Sequence, residues 1–210
     1  MDNPEHMSET RQLALDKIAD NDYELYALLK QRYSPRIFDD KEISEDNVQK
    51  LFEAARWAAS SYNQQPWRFI YAHKGSGAYD KIVENLIEFN QKWAVNAPML
   101  VLTVFKEKNH KGEEYFHALH DLGLAMGNLT VQAQYLDIAL HHMAGVDREK
   151  AKETFDIPDG FTVATAVAVG HYGGKLEDLP EEMREKETAE RTRNPQSEFA
   201  FQNEWKASDV

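Results

Sequence analysis

The chain of 210 residues has no cysteine, which removes disulfides, thiolate catalysis, iron-sulfur ligation and zinc-finger geometry together. Positive charge is also scarce. Against 36 aspartates and glutamates stand 24 lysines and arginines, a net charge of -12. A nucleic-acid backbone or an anionic membrane surface is therefore not expected as the main partner, although local basic sites remain open. No stretch reaches the length of a membrane span, and the opening MDNPEHMSET is polar and acidic, without the apolar core of a signal peptide. There is no repeat and no low-complexity tract. These absences predict a soluble, cytoplasmic protein of one domain over 1–210, with a polar extension at 1–22 and an arm at 191–210, long enough to bury a sizeable core.

Between those ends the pattern alternates helix and strand. Leu13, Leu15 and Ile18 predict a weak first helix, and Tyr26, Leu28 and Leu29 continue a helical pattern that Pro35 breaks. Ser44 suits an N-cap, with Glu45 and Asp46 in the first turn and Val48, Leu51, Phe52, Ala55 and Ala59 at helical spacing behind it. Residues 67–72 read as a strand, 76–93 as a helix, and 99–105 as a central strand buried on both faces. A charged loop at 106–114 leads to 116–140, apolar or small almost all round, which predicts a long helix buried on most sides. Gly123 and Gly127 within it cost helix stability and point to the close approach of another backbone, such as a second subunit's. After a short connector or strand at 141–145 and a short helix at 147–155, residues 161–171 read as another buried strand. Residues 175–190 are dominated by charge. The arm carries Phe199, Phe201 and Trp205, rings that must lie against something. The expected class is α+β or α/β.

Arg32 and Arg36 flank Ser34, and Ser60, Ser61 and Asn63 precede Pro66-Trp67. Arginine offers a planar fork of donors that matches a phosphate, and the short polar side chains have little freedom to lose, so an anionic, polar ligand is expected there. His117 and His120 share a helix face, but no carboxylate stands at the HExxH spacing, and a metal site is not expected.

Five segments in order resemble the nitroreductase family of flavin enzymes: Arg32-Tyr33-Ser34-Pro35-Arg36, residues 58–67 (AASSYNQQPW), Asn90 ahead of Ala97-Pro98, Met143-Ala144-Gly145-Val146-Asp147, and Arg191-Thr192-Arg193-Asn194-Pro195. The resemblance implies an α+β sandwich with a central mixed sheet, a long buried helix and an extended C-terminal arm. It also implies an intertwined homodimer with one FMN per subunit at the interface, and electron transfer from NADH or NADPH to nitroaromatics, quinones or similar small oxidants.

Carried over by residue, Arg32, Ser34, Arg191 and Arg193 would surround the FMN phosphate. Tyr33 stands where the family often has a cation. Arg36 would sit at the pyrimidine edge of the flavin, with Asn90 bonded to the same edge, and Ala144 and Gly145 would bring their backbone to the ring. Ser60, Ser61 and Asn63 would reach in from the partner subunit. The flavin itself would carry the chemistry, so no Ser-His-Asp set and no catalytic protein nucleophile are expected, and a shared stacking site predicts ping-pong kinetics. Alternatives on the same resemblance are a specialised flavin reaction (dehalogenation, enone reduction or dehydrogenation) or an FMN-storing protein without turnover of its own.

Overall fold

The computed structural model describes residues 9–205; residues 1–8 of the expected extension and 206–210 of the arm lie outside them. The elements run α1 (Glu9–Asp16), α2 (Ala27–Gln31), α3 (Glu45–Arg56), β1 (Trp67–His73), α4 (Gly77–Glu84), α5 (Glu88–Ala94), β2 (Met99–Lys106), α6 (Ala118–Tyr135), β3 (Ile138–Met143), α7 (Arg148–Thr154), β4 (Phe161–His171) and α8 (Glu181–Thr188). The expected α+β class holds. Among the described residues no helix is long and apolar enough to cross a membrane.

The sheet has the order β1-β2-β4-β3, and all three pairings are antiparallel. This corrects the expected mixed sheet, and the cause lies in one connection. The crossover through α6 joins β2 to β3, which run parallel to each other, but β4 inserts between them and pairs with both. The strand read from its β-branched and alanine alternation thus becomes the centre of the sheet. Alternate residues of β2 face opposite layers. Leu100, Leu102 and Val104 pack with α4, α5, α7 and α8, while Met99 and Val101 pack with α3 and α6.

Local signals set the helix limits. Ser44 Oγ accepts the Asn47 N–H at 3.3 Å, and the buried Val48, Leu51 and Ala55 line one face of α3. The helix expected over 76–93 is two. It breaks at Asn85–Ile87, where Leu86 bridges to Val146, the Ile87 N–H donates to Gly145 O at 3.1 Å, and the Asp147 N–H donates to Asn85 O at 2.8 Å.

The helix expected over 116–140 ends at Tyr135. Asp137, at a φ of 56°, turns the chain, and Ile138–Met143 is an edge strand. Nor is α6 buried on most sides within one protomer: Leu119, Gly123, Leu124, Gly127 and Tyr135 form an exposed face. In the arm, Phe199 and Trp205 are exposed, and the Phe201 and Trp205 rings lie 5.1 Å apart, against each other. The charged run of 175–190 contains α8, held down by the fully buried Met183.

Leu102 sits at the middle of β2 with none of its surface exposed. Leu102→Ala should cost about 2–5 kcal/mol, from lost transfer energy and an unfilled cavity. Chemical denaturation should show a lower midpoint at unchanged slope.

Candidate functional site

Arg32, Ser34 and Arg36 lie on the extended segment that follows α2. Pro35 cannot continue a helix, and the backbone is already extended at Arg32, the C-cap of α2. Two contacts fix this segment. His141 Nδ1, on β3, hydrogen-bonds Pro35 O at 2.8 Å, and the Tyr33 ring stacks on Tyr172 at 5.1 Å. The chain beyond α8 returns to the same place, so that Arg32, Ser34, Arg36, Glu187, Arg191 and Arg193 line one cavity of about 330 Å³.

Within that cavity Arg32 Nη1 donates to Ser34 Oγ at 3.2 Å. Arg191 Nη1 donates to the carbonyl of Lys17 and, at 3.3 Å, to that of Lys30, while Lys17 Nζ donates to Ala189 O. Arg193 is exposed and donates to Thr192 O at 2.6 Å. Burial, followed by the charges of Arg32 and Arg193, disfavours the charged form of Arg191; burial likewise presses on Arg32, with Arg193 adding to it. Cations gathered this way call for an anion among them. Tyr33 is buried and its phenol is pushed well above its usual range, first by burial and then by Glu187, so it supplies a wall rather than a charge.

Glu187 is the main residue that the sequence reading passed over. It is 2 % exposed, and its Oε2 accepts the backbone N–H of Arg36 at 2.9 Å and lies 3.7 Å from the Arg36 guanidinium. Its Oε1 is buried without a partner, as is Arg36 Nε. One signal was available: Glu187 follows Met183 by four residues, one helical turn, so an acid falls on the buried stripe of α8.

A second group adjoins the first. Asn90 Nδ2, on α5, donates to Gly145 O at 3.0 Å. A Cβ at Gly145 would lie 2.5 Å from Ile87 Cδ1 and 2.6 Å from Asn90 Nδ2, so only glycine lets this backbone approach. Ala144, beside it, is exposed, and its carbonyl accepts the Val146 N–H at 3.0 Å. Trp93 joins the two groups. Its ring lies 4.3 Å from His141 and 5.8 Å from the Arg36 guanidinium carbon.

Ser60, Ser61 and Asn63 are not brought to this place. They belong to a loop in which Tyr62, Asn63 and Gln65 all have φ near 50°. The buried Asp121 holds that loop, accepting the Ser61 N–H at 3.0 Å and the Tyr115 hydroxyl. The cationic group hangs from the other end of α6, where Thr130 Oγ1 meets His142 Nε2 at 3.2 Å. Asp121 and Thr130 are nine residues apart on one helix, about 13 Å of rise. Among the described residues no group of three or more histidines and carboxylates is placed to hold a metal ion.

The profile described as the nitroreductase family matches residues 29–91 and 80–171. This chain belongs to the nitroreductase family. The matched residues include Arg32, Ser34, Arg36, Asn90 and Gly145, whereas Arg191 and Arg193 lie beyond them. Among relatives of this family member, an NADPH-dependent oxidoreductase of Staphylococcus aureus (strain N315) is 30% identical over 172 residues, covering 71% of this chain and 65% of that protein. The chain therefore spans just under two thirds of that relative's length. An oxygen-insensitive NAD(P)H nitroreductase of Enterobacter cloacae is 22% identical, covering 71% of this chain and 89% of that one. The crystal structure of an oxidoreductase containing FMN superposes with a TM-score of 0.83 at 32% identity, covering 97% of this chain and all of the other.

His141 generates a prediction from its surroundings. Burial, with Arg36 and His142 adding to it, lowers its pKa to about 4, against the hydrogen bond that it makes to Pro35 O. A histidine depressed in the folded state contributes stability above its unfolded pKa and loses it as pH falls toward the folded value. The stability advantage of wild type over His141→Gln should therefore shrink by about 1–2 kcal/mol between pH ~7 and ~5. Urea titrations of both proteins at the two pH values measure it, and an unchanged difference means that the imidazole titrates normally.

Proposed function

We propose that this nitroreductase-family protein is an FMN-dependent oxidoreductase that passes electrons from NAD(P)H to nitroaromatics, quinones or similar small oxidants, by a ping-pong mechanism. The observation that carries the reading is the cavity in which Arg32, Ser34, Arg36, Arg191 and Arg193 meet, with more cations than carboxylates among its lining residues. It adjoins the Asn90–Gly145 backbone where a side chain has no room. The donor set fits the cofactor: guanidinium groups for a phosphate, an amide and a bare backbone for the polar edge of a ring.

In this assignment Arg32, Ser34, Arg191 and Arg193 neutralise the phosphate, with charge-assisted hydrogen bonds of the stronger kind. Arg36, held by Glu187 and Trp93, places positive charge at the pyrimidine edge, and Asn90 orients that edge. Gly145 and Ala144 form the backbone wall. Bound there, FMN would supply the two-electron chemistry. The protein's remaining work is to shield the ring and admit donor and oxidant in turn.

Ser60, Ser61 and Asn63, held beside the N-terminal end of α6 by Asp121, complete the site from a second copy of the chain. Three features support that dimer. The face Leu119, Leu124 and Tyr135 is exposed in the single protomer. A Cβ at Gly123 or Gly127 would meet nothing within 4 Å, so the protomer itself does not need these two glycines, whereas a backbone approaching this face does. Phe199 and Trp205 of the arm are also exposed on their own protomer.

The purified protein should show flavin absorption that bleaches when NADH or NADPH is added without oxygen and returns with a quinone. Arg193→Ala, at an exposed side chain, should fold normally and bind FMN at least tenfold more weakly in a fluorescence titration. Wild-type affinity in that variant would remove Arg193 from the phosphate, and a protein that takes up no FMN would remove the function.

Gly127→Glu places a charge on the bare face of α6 without a clash inside the protomer. Sedimentation should find it monomeric and its preparation colourless, because half of each site then leaves with the partner. A dimeric, yellow variant would put the interface elsewhere.

A further inference from the structure

We propose that Glu187 is the proton-holding residue of the site: its Oε1 takes up a proton from solvent when electrons enter the cavity from the nicotinamide, and returns it when the oxidant is reduced. The inference rests on the FMN reading above and deepens it. It starts from the placement of a carboxylate that the binding of a phosphate does not explain. A cavity built only to hold anions has no use for an acid in its wall, yet Glu187 lines it and is 2 % exposed.

The two carboxylate oxygens have different surroundings. Oε2 is engaged by the Arg36 N–H at 2.9 Å and faces the Arg36 guanidinium at 3.7 Å. Oε1 is buried without a partner, and Arg36 Nε is too. A carboxylate atom with no donor gains nothing from staying ionised and loses its hydration, so it is the atom on which a proton settles. Arg36 from the segment after α2 and Lys17 from the segment after α1 are the cations that face Glu187 and hold it ionised, while the phenol of Tyr33 lies on the same side. Burial outweighs the cations and leaves the carboxyl above its ordinary range. A negative charge added beside Arg36 acts in the same direction as burial and raises the carboxyl further.

The chemistry balances. Transfer of hydride from a reduced nicotinamide releases the oxidised nicotinamide and adds one negative charge to the cavity. Glu187 offsets that charge by binding one proton at Oε1, with no change in its own oxidation state. A quinone then leaves as its dihydroxy form by accepting the hydride equivalent and one proton, and the proton held at Glu187 supplies the second of these. The carboxylate returns to its starting state. Arg36 couples the two events, because it touches Glu187 through both its backbone N–H and its guanidinium.

The test counts protons. FMN-loaded protein in weakly buffered solution near neutral pH is reduced without oxygen by one equivalent of NADH or NADPH, whichever bleaches it, and a pH-indicator dye reports uptake. Wild type should take up close to one proton per nicotinamide oxidised. In Glu187→Gln, whose amide oxygen still accepts the Arg36 N–H, the protons taken up per flavin bleached should fall close to zero, and Glu187→Asp should restore the count. A purely structural role for Glu187 would not change this count.

Zero uptake by wild type overturns the proposal without recourse to any variant, so it stays exposed even if Glu187→Gln folds poorly. Equal uptake in wild type and Glu187→Gln overturns it as well, because the proton then settles elsewhere. A wild-type protein that takes up no FMN removes the flavin reading and this inference together, whereas bound, bleachable FMN with an unchanged count removes this inference alone.

Discussion

Four guanidinium groups share one cavity in this protein, and much of the surrounding structure exists to bring them there. They arrive from chain positions more than 150 residues apart, on an extended segment that Pro35 forces and on an arm that leaves α8. Like charges in a partly buried space repel and lose hydration, so the arrangement is unfavourable until an anion enters. The chain offsets part of the cost internally. Arg191 donates to the carbonyls of Lys17 and Lys30, Arg36 lies over Trp93, and Glu187 contributes a buried negative charge. The rest is a driving force for binding an anion.

The second constraint is topological. With β4 inserted between the parallel β2 and β3, the connection through α6 has to run back the length of the strands while it crosses β4, and an 18-residue helix does so. Its N-terminal end anchors the 60–65 loop through Asp121, and its other end meets His142 beside the cationic segment. One rigid element therefore holds the two halves of the polar constellation apart. A helix that separates them within a protomer can also unite them between protomers if two copies pack along it, and Gly123 and Gly127 leave its outer face bare for that contact.

Much of this was legible in the sequence because local and tertiary signals agreed. Ser44 caps where a short hydroxyl precedes acids and a helical stripe, and Phe161–His171 is a strand because β-branched residues and alanines fit a sheet covered on both faces. The arginine-serine segments could be placed together only through the family resemblance, since nothing in their spacing joins residues 32–36 to 191–193. Three readings failed for physical reasons. Residues 116–140 read as one helix because an apolar run has no period that separates a buried helix from a buried strand, and Asp137 punctuates the chain without being glycine or proline. The break between α4 and α5 was hidden because Leu86 continues the helical spacing while its actual partner is Val146, 60 residues on. The mixed sheet was expected from helices between strands, a pattern that does not reveal a strand inserted later between two parallel ones.

Arg191 links the site to the stability of the fold. Its guanidinium ties the arm to the end of α1 and to α2, and Lys17 returns the tie through Ala189 O. The same guanidinium faces the cavity. An anion bound there relieves the repulsion from Arg32 and Arg193 that acts on Arg191, and so strengthens the clasp between the chain's two ends. Any ligand that binds the folded state alone stabilises it, by about 2.7 kcal/mol at a hundredfold excess over Kd. Here the gain falls on a particular place: the segments around Lys17, Lys30 and Ala189, where the Ala19 N–H also donates to Lys30 O at 3.0 Å. If the anion is the cofactor's phosphate, its binding and the closing of this clasp are one event, because one arginine takes part in both.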